Sequence, residues 1–253
     1  MSEILRVEHL SKVFQGKDND DDFLAADDVS FTLKAGEKLA IIGESGSGKT
    51  TVARLVTRLL ETSSGRIYLD GEDITHAKGT KLKEAYKKMQ MVFQSPIESF
   101  DPRLTLGDGI MESLLNHGLK KRAALAECQK LLSLCGLSKE FSHRYPHEVS
   151  GGQCQRAAIA RALAIEPRLL ILDEATSALD VTVQADILEL LQHIQEKRNM
   201  AYLFICHDIA LVQDFCDRVI VMHKGRIVET GTPDEVIRSP KEAYTKKLID
   251  SVL

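Results

Sequence analysis

A glycine-rich segment follows a short apolar run near residue 40. The run is Leu39–Ile42, and the next residues read GESGSGKTT, so that Lys49 follows three spaced glycines. Glycine lets the backbone curl with its N–H groups pointing inward, and a helix N-terminus adds partial positive charge. A lysine beside these donors suits an anion with several oxygens, such as a polyphosphate.

The segment matches the P-loop pattern G-x-x-x-x-G-K-[ST]. In that pattern Lys49 reaches the β- and γ-phosphates and Thr50 binds Mg²⁺. The alternative is a glycine-rich turn with a solvated lysine, but apolar residues at helical spacing after Thr51 favour the P-loop. As a loop residue Lys49 is expected to be exposed, so Lys49→Ala should change the free energy of unfolding by less than about 0.5 kcal/mol. The predicted nucleotide-binding residues are Gly43, Glu44, Ser45, Gly46, Ser47, Gly48, Lys49, Thr50 and Thr51.

Two acidic residues end a second apolar run, in the segment LLILDE. An acid at the carboxyl end of a parallel strand lies beside the P-loop in sheets of this kind. Asp173 can then hold Mg²⁺, directly or through water, and Glu174 can act as general base on an attacking water. The alternative is a strand that ends in solvated acids.

A second anion-binding helix start is predicted in the segment EVSGGQ. Ser150 can cap the following helix, while Gly151 and Gly152 leave backbone N–H groups uncovered. A plain helix cap is the alternative.

Elements that could position these residues alternate between strands and helices. Helical character dominates from Lys81 to about Ala164, and an α/β core with a mostly parallel sheet is expected around it. Predicted strands are Ile4–Glu8, Val29–Lys34, Arg66–Asp70, Leu169–Leu172, Ala201–Ile205 and Val219–Met222, with a hairpin through His223–Gly225 to Arg226–Glu229.

Composition, charge and cysteine spacing argue against several classes of protein. The chain has 253 residues and a net charge of −4, which argues against a nucleic-acid surface. No apolar run reaches 18 residues, and the first residues do not read as a signal peptide. The five cysteines form no C-x-x-C pair, which makes metal ligation by them unexpected and favours a reducing cytosol. The acidic run Lys17–Asp22 is predicted to be a solvated loop.

The motifs and their order resemble the ABC-type ATPases along essentially the whole chain. The family signature LSGGQ is here Val149 followed by Ser150, Gly151, Gly152 and Gln153. The resemblance implies an α/β fold with a P-loop NTPase (RecA-like) core of mostly parallel sheet, an N-terminal antiparallel β subdomain and an inserted α-helical subdomain. It places the core at about 1–94 and 165–253, and the helical subdomain at about 95–164.

The resemblance also implies roles for four further residues. Gln94 in MVFQSP looks like the Q-loop glutamine near Mg²⁺, and Asp180 in SALD looks like the D-loop aspartate at the nucleotide. His207 in FICHDIA looks like the switch histidine at the γ-phosphate. Phe14 resembles the aromatic residue that stacks on adenine, although the neighbouring Val13 makes a core position the competing interpretation.

Two segments resemble the peptide and nickel import ATPases: MVFQSPIESFDPRLTLGDGI and TSALDVTVQADILELL. This implies ATP and Mg²⁺ as cofactors, a second ATPase subunit bound head to tail, two transmembrane permease subunits, an extracellular substrate-binding protein and no nucleic acid. The expected location is the cytoplasmic face of the membrane. Ala175 and Cys154 depart from the residues usual in this group, but neither replaces a catalytic group.

The segment Met91–Ile110 is expected to couple ATP-driven closure to a permease. Ile97, Phe100 and Leu104 would offer exposed apolar contacts there, unless they pack inside the helical insert. Two rival functions remain open: a non-transport ABC-type ATPase acting on DNA or ribosomes, and a small-molecule P-loop kinase. The former usually has coiled-coil inserts or two ATPase domains, and the latter lacks the SGGQ and SALD segments.

Overall fold

A computed structural model describes residues 2–15, 22–177 and 179–251. The predicted acidic loop therefore lies outside the described residues, apart from Asp22. The strands are β1 Glu3–Phe14, β2 Phe23–Lys34, β3 Lys38–Ile42, β4 Ser64–Leu69, β5 Glu72–Asp73, β6 Met89–Val92, β7 Leu169–Asp173, β8 Ala201–Ile205, β9 Arg218–His223 and β10 Arg226–Gly231. The α-helices are α1 Lys49–Val56, α2 Gly79–Lys88, α3 Leu106–Asn116, α4 Lys121–Leu134, α5 Gly151–Leu163, α6 Val181–Arg198, α7 Ile209–Phe215, α8 Pro233–Arg238 and α9 Ala243–Asp250.

The core sheet has six strands in the order β10-β9-β3-β8-β7-β6. All its pairs are parallel except β9 with β10, which forms the predicted hairpin. The carboxyl ends of β3, β7 and β8 therefore meet at one edge of the sheet. This edge carries the P-loop after Ile42, the acids at Asp173 and Glu174, and His207 after Ile205.

A second, antiparallel sheet has the strand order β2-β1-β4-β5. Side chains of β3 alternate between the two faces of the core sheet. Leu39 and Ile41 lie in one buried cluster with residues of the antiparallel sheet and α1, while Ala40 and Ile42 belong to a second cluster. The antiparallel sheet therefore packs on the face that carries Leu39 and Ile41. The predicted α/β class, with a mostly parallel core and an N-terminal antiparallel sheet, is confirmed.

Helices α3, α4 and α5 form the inserted helical part. Their buried residues, among them Ile110, Leu131 and Ile159, belong to the same apolar cluster as Leu170 and Leu172 of the core sheet. The predicted boundaries of the helical subdomain remain a prediction. No helix of the described residues is both long and apolar enough to cross a membrane.

The expectation that helical character dominates from Lys81 to about Ala164 fails in two places. Met89–Val92 is the edge strand β6, paired in parallel with β7, and residues 93–105 contain no helix. A short apolar run such as MQMV fits a strand or a helix equally well by periodicity. Pairing with β7, which is distant in sequence, decides the outcome.

The expectation that Phe100 offers an exposed contact is also wrong. Phe100 is only 4% exposed, and the Arg161 guanidinium of α5 lies 4.2 Å from the centroid of its ring. Arg161 also donates hydrogen bonds to the Ser99 carbonyl and hydroxyl oxygens, which fixes the turn that carries Phe100. Ile97 and Leu104, by contrast, are exposed as expected.

Candidate functional site

The P-loop ends where helix α1 begins at Lys49. Gly48 precedes this helix at φ 103°, no side chain caps the helix, and no acidic residue lies in its first turn. Its uncapped N–H groups and positive dipole end therefore suit an anion. Gly43 is required sterically, because a Cβ there would lie 2.3 Å from the Met222 carbonyl oxygen.

Lys49 lies inside the loop and is only 4% exposed, which contradicts the expectation of an exposed lysine. Its Nζ donates hydrogen bonds of 2.8 Å to the carbonyl oxygens of Gly43 and Glu44. Burial lowers the pKa of Lys49, while the carboxylates of Glu174 and Asp173 oppose the shift. The sequence could not reveal this burial, because it results from the loop folding around its own lysine.

The two acids at the end of β7 lie next to the start of α1. The Thr50 hydroxyl donates a hydrogen bond of 3.1 Å to Asp173 Oδ1. Burial raises the pKa of Asp173, and the hydrogen bond from Thr50 opposes this effect. A cation bound to these two oxygens would favour the ionised carboxylate, and oxygen donors are the ligands that Mg²⁺ prefers, so the residues present fit this ion.

Glu174 lies close to two other predicted residues, Gln94 and His207. Gln94 Nε2 donates a hydrogen bond of 2.7 Å to Glu174 Oε2, and His207 Nδ1 lies 3.9 Å from the same oxygen. The Glu174 backbone is left-handed, with φ 48°, and its N–H donates to the Ile205 carbonyl. Such a backbone is unfavourable for glutamate, and it is held here at the edge of the sheet beside a cavity of about 400 Å³.

The SGGQ segment begins helix α5 as predicted. The Ser150 hydroxyl accepts from the Gln153 N–H, and the Gln153 side chain accepts in turn from the Ser150 N–H. Asp180 caps α6 by accepting from the Val183 N–H, and a Cβ at Gly152 would lie 2.6 Å from a methyl carbon of Val183. The two helix starts are therefore neighbours.

No hydrogen bond or ion pair between described residues joins the segment Ser150–Gln153 to the P-loop. Phe14 lies apart from both, at the end of β1, with 39% of its surface exposed and Lys12 Nζ 5.2 Å from its ring centroid. Val13 is only partly buried. The six predicted residues that the structure brings together are Lys49, Thr50, Gln94, Asp173, Glu174 and His207.

One residue at the P-loop was not predicted to lie there. The Tyr244 hydroxyl of α9 accepts a hydrogen bond of 3.1 Å from the Glu44 N–H. The two residues lie 200 positions apart, and neither helical spacing nor turn residues in the closing segment could predict their contact.

Comparison with known proteins relates this arrangement to one family. The pattern of the ABC transporter family matches residues 26–177. The oligopeptide transport ATP-binding protein OppF of Streptococcus mutans is 46% identical over 252 residues, which cover 98% of this chain and 81% of that protein.

Two further comparisons agree with the first. The glutathione import ATP-binding protein GsiA of Pectobacterium atrosepticum is 46% identical over 229 residues, covering 90% of this chain and 37% of GsiA. A solved structure of the ATP-binding cassette MJ0796, dimeric and bound to ADP and Pi, has a TM-score of 0.83 and 26% identity, covering 91% of this chain and 99% of that one.

Proposed function

The chain belongs to the ABC transporter family and is an ATP-hydrolysing subunit of it, and we propose that it powers the import of peptides across a membrane. The family prediction from the motif order is confirmed by the pattern match over residues 26–177. The hydrogen bond between Gln94 and Glu174 carries the mechanistic part of the proposal, because it joins the ATP site to the segment expected to meet a permease.

Lys49 and the free N–H groups of α1 bind the phosphates of ATP in this proposal. The Lys49 ammonium would contact the β- and γ-phosphates, while Thr50 and Asp173 would hold Mg²⁺. When bound, Mg²⁺ neutralises charge on the phosphate oxygens. Because Gln94 turns its amide nitrogen toward Glu174, its amide oxygen remains available as a further ligand.

Glu174 is the proposed general base. Its carboxylate would accept a proton from the water that attacks the γ-phosphorus, while His207 would donate to a γ-phosphate oxygen. The 3.9 Å separation of His207 from Glu174 is longer than a hydrogen bond, so His207 can turn to the substrate without breaking one. Phe14, exposed at the end of β1, would stack on adenine.

The isolated helix start at SGGQ supports a head-to-tail pair of ATPase subunits. Since Ser150, Gly151 and Gly152 make no hydrogen bond with the chain's own P-loop among the described residues, they would complete the site of the other subunit, together with Asp180. ATP would close the pair and hydrolysis would reopen it. The dimeric cassette MJ0796 supports this arrangement.

Replacing Gly151 by Asp is expected to prevent ATP-dependent pairing without unfolding the subunit. A Cβ at Gly151 would meet only Leu179, at 3.7 Å, and an acid in the first helical turn favours the helix. The added carboxylate would instead repel the γ-phosphate bound to the partner. Size-exclusion chromatography with ATP measures pairing, and Glu140→Gln, an exposed change in the same helical part, serves as control. Normal pairing of Gly151→Asp would contradict the proposed role.

A groove beside Gln94 supports a permease contact. A surface cavity of about 240 Å³ is lined by the end of α1, the end of α2 and β6. Two of its residues, Leu59 and Phe93, are 51% and 37% exposed, and Ile97, four residues after Phe93, is 47% exposed. Exposed apolar side chains around one cavity suit a short amphipathic helix. We assign this groove to a cytoplasmic helix of the permease, in place of the predicted contact at Phe100.

Leu59→Ser is expected to weaken assembly with the permease and lower transport at least tenfold, while ATPase activity of the isolated subunit changes less than about twofold. The reason is that an exposed contact is lost while the phosphate-binding groups stay in place. Leu115→Ser is the matched control, because Leu115 is also an exposed leucine. It lies on the face of α3 opposite to Ser113 and His117, which line the cavity next to the groove, so it points away from the groove. Equal loss of transport in both variants would count against the groove.

Peptide cargo is favoured over nickel because the related proteins described above are named for oligopeptides and glutathione. An extracellular substrate-binding protein would deliver the peptide to two permease subunits, with this chain on the cytoplasmic face. Reconstitution in vesicles with two permease subunits and a binding protein from the same organism tests the proposal. ATP-dependent uptake of labelled peptides is expected, and uptake of nickel chelates alone, or of neither, would overturn the peptide assignment.

A further inference from the structure

Tyr244 lies against the outer side of the P-loop. Its hydroxyl oxygen accepts from the Glu44 N–H at 3.1 Å, and its ring lies on the His223 ring with 3.8 Å between centroids. His223 ends β9 at the turn whose Gly225 N–H donates to the Ser47 carbonyl. The loop is therefore supported from outside by the carboxyl-terminal helix and the β9–β10 turn.

One peptide unit connects Tyr244 to Lys49. The Glu44 N–H that Tyr244 binds and the Gly43 C=O that Lys49 binds belong to the same planar group. In a trans peptide, N–H and C=O point in opposite directions, so Tyr244 and Lys49 bind opposite sides of one rigid, planar peptide group. Hydrogen bonds in such a series polarise one another and fix the orientation of the group.

Helix α9, which carries Tyr244, is itself fixed. Glu229 of β10 is 9% exposed, and its two carboxylate oxygens accept from the N–H groups of Lys241 (2.9 Å) and Glu242 (3.2 Å) at the start of the helix. Tyr244 comes two residues after Glu242, so the backbone that carries its ring is anchored close by. The contact with Glu44 therefore joins two ordered elements.

We propose that Tyr244 is a positioning residue for ATP: it fixes the Gly43–Glu44 peptide so that the Lys49 ammonium stays aimed at the phosphate position. The inference rests on the proposed role of Lys49. Without the hydroxyl, the Glu44 N–H loses its acceptor and the peptide can rotate, which takes the Gly43 carbonyl away from Lys49. The remaining carbonyl partner of Lys49, Glu44, belongs to the next peptide unit and does not hold this plane.

Tyr244→Phe removes the hydroxyl and keeps the ring on His223. We expect Kd and KM for ATP to rise about threefold to tenfold, the ratio that loss of one hydrogen bond gives, while kcat stays within about twofold. Amide exchange at Glu44 should become faster in the nucleotide-free protein. Tyr68→Phe is the matched control, because the Tyr68 hydroxyl lies 3.5 Å from Arg66 on the antiparallel sheet.

A double-mutant cycle with Lys49→Ala tests the route of the effect. If Tyr244 acts through Lys49, Tyr244→Phe changes the ATP Kd in the native background and leaves it unchanged in the Lys49→Ala background. Equal effects in both backgrounds, an unchanged Kd, or unchanged exchange at Glu44 would overturn the inference. If Lys49→Ala alone leaves the ATP Kd unchanged, the proposed role of Lys49 fails instead, so the two failures are distinguishable.

Discussion

Glu174→Gln is expected to lower ATP hydrolysis several hundredfold, or about 3–4 kcal/mol of activation free energy, while ATP still binds. The amide has nearly the shape of the carboxylate but cannot accept the proton of the attacking water. Steady-state phosphate release measures the first effect and equilibrium nucleotide binding the second.

The hydrogen bonds around Glu174 indicate that the substitution leaves the site geometry in place. Gln94 can still hydrogen-bond to the amide oxygen of the substituted side chain, and the backbone stays held by Ile205 and Ser177. The site geometry should therefore survive, and the loss should fall on kcat. ATP-bound pairs should accumulate, because closure is intact and hydrolysis cannot reopen them.

Glu98→Gln is the matched control for Glu174→Gln. Glu98 lines the cavity beside Glu174 and is exposed, yet it makes no hydrogen bond or ion pair with the predicted site residues among the described residues. Hydrolysis should remain near normal in this variant. Near-normal turnover of Glu174→Gln would remove Glu174 as general base, and comparable losses in both variants would indicate a general charge effect of the cavity.

The residues of the candidate site could be placed from the sequence where their signals are local. The glycines of the P-loop, the acids ending β7 and the cap at Ser150 each depend on a few consecutive residues and on backbone rules. The P-loop and the acids meet because β3 and β7 run parallel in the core sheet. Local sequence signals are therefore enough to predict most of the candidate site residues.

The residues that were placed wrongly, or not at all, depend on distant contacts. Strand β6 exists because β7 lies beside it, and Phe100 is buried because Arg161, 61 positions later, covers its ring. Tyr244 reaches the P-loop only because Glu229 anchors its helix. In each case local periodicity is compatible with several outcomes, and tertiary packing selects one.

Lys49→Ala is expected to weaken ATP binding at least a hundredfold, about 2.7 kcal/mol, because a buried cation aimed at the phosphates is lost. Titration calorimetry of the isolated subunit measures this. Lys130→Ala, on the exposed face of α4, controls for the change in net charge. An unchanged affinity in Lys49→Ala would contradict the P-loop assignment.

The same substitution tests what burial does to Lys49. The sequence alone suggested a stability change below about 0.5 kcal/mol, the value for an exposed residue. Because Lys49 is buried and donates hydrogen bonds to two carbonyl groups, Lys49→Ala is expected to lower the free energy of unfolding by about 1 kcal/mol at neutral pH. This loss is small because the desolvated charge itself opposes folding.

That opposing cost gives the prediction a definite pH dependence. The folded-state pKa of Lys49 lies below the ordinary value of 10.5, so in the window just below 10.5 the unfolded chain binds more protons than the folded protein. The free energy of unfolding of the native protein, relative to that of Lys49→Ala, must therefore increase as the pH rises through this window. Denaturant titrations of both proteins across this window measure the difference. A difference that stays constant, or that shrinks as pH rises, would mean that Lys49 is solvated in solution, and its hold on the Gly43 and Glu44 carbonyls could not then organise the loop.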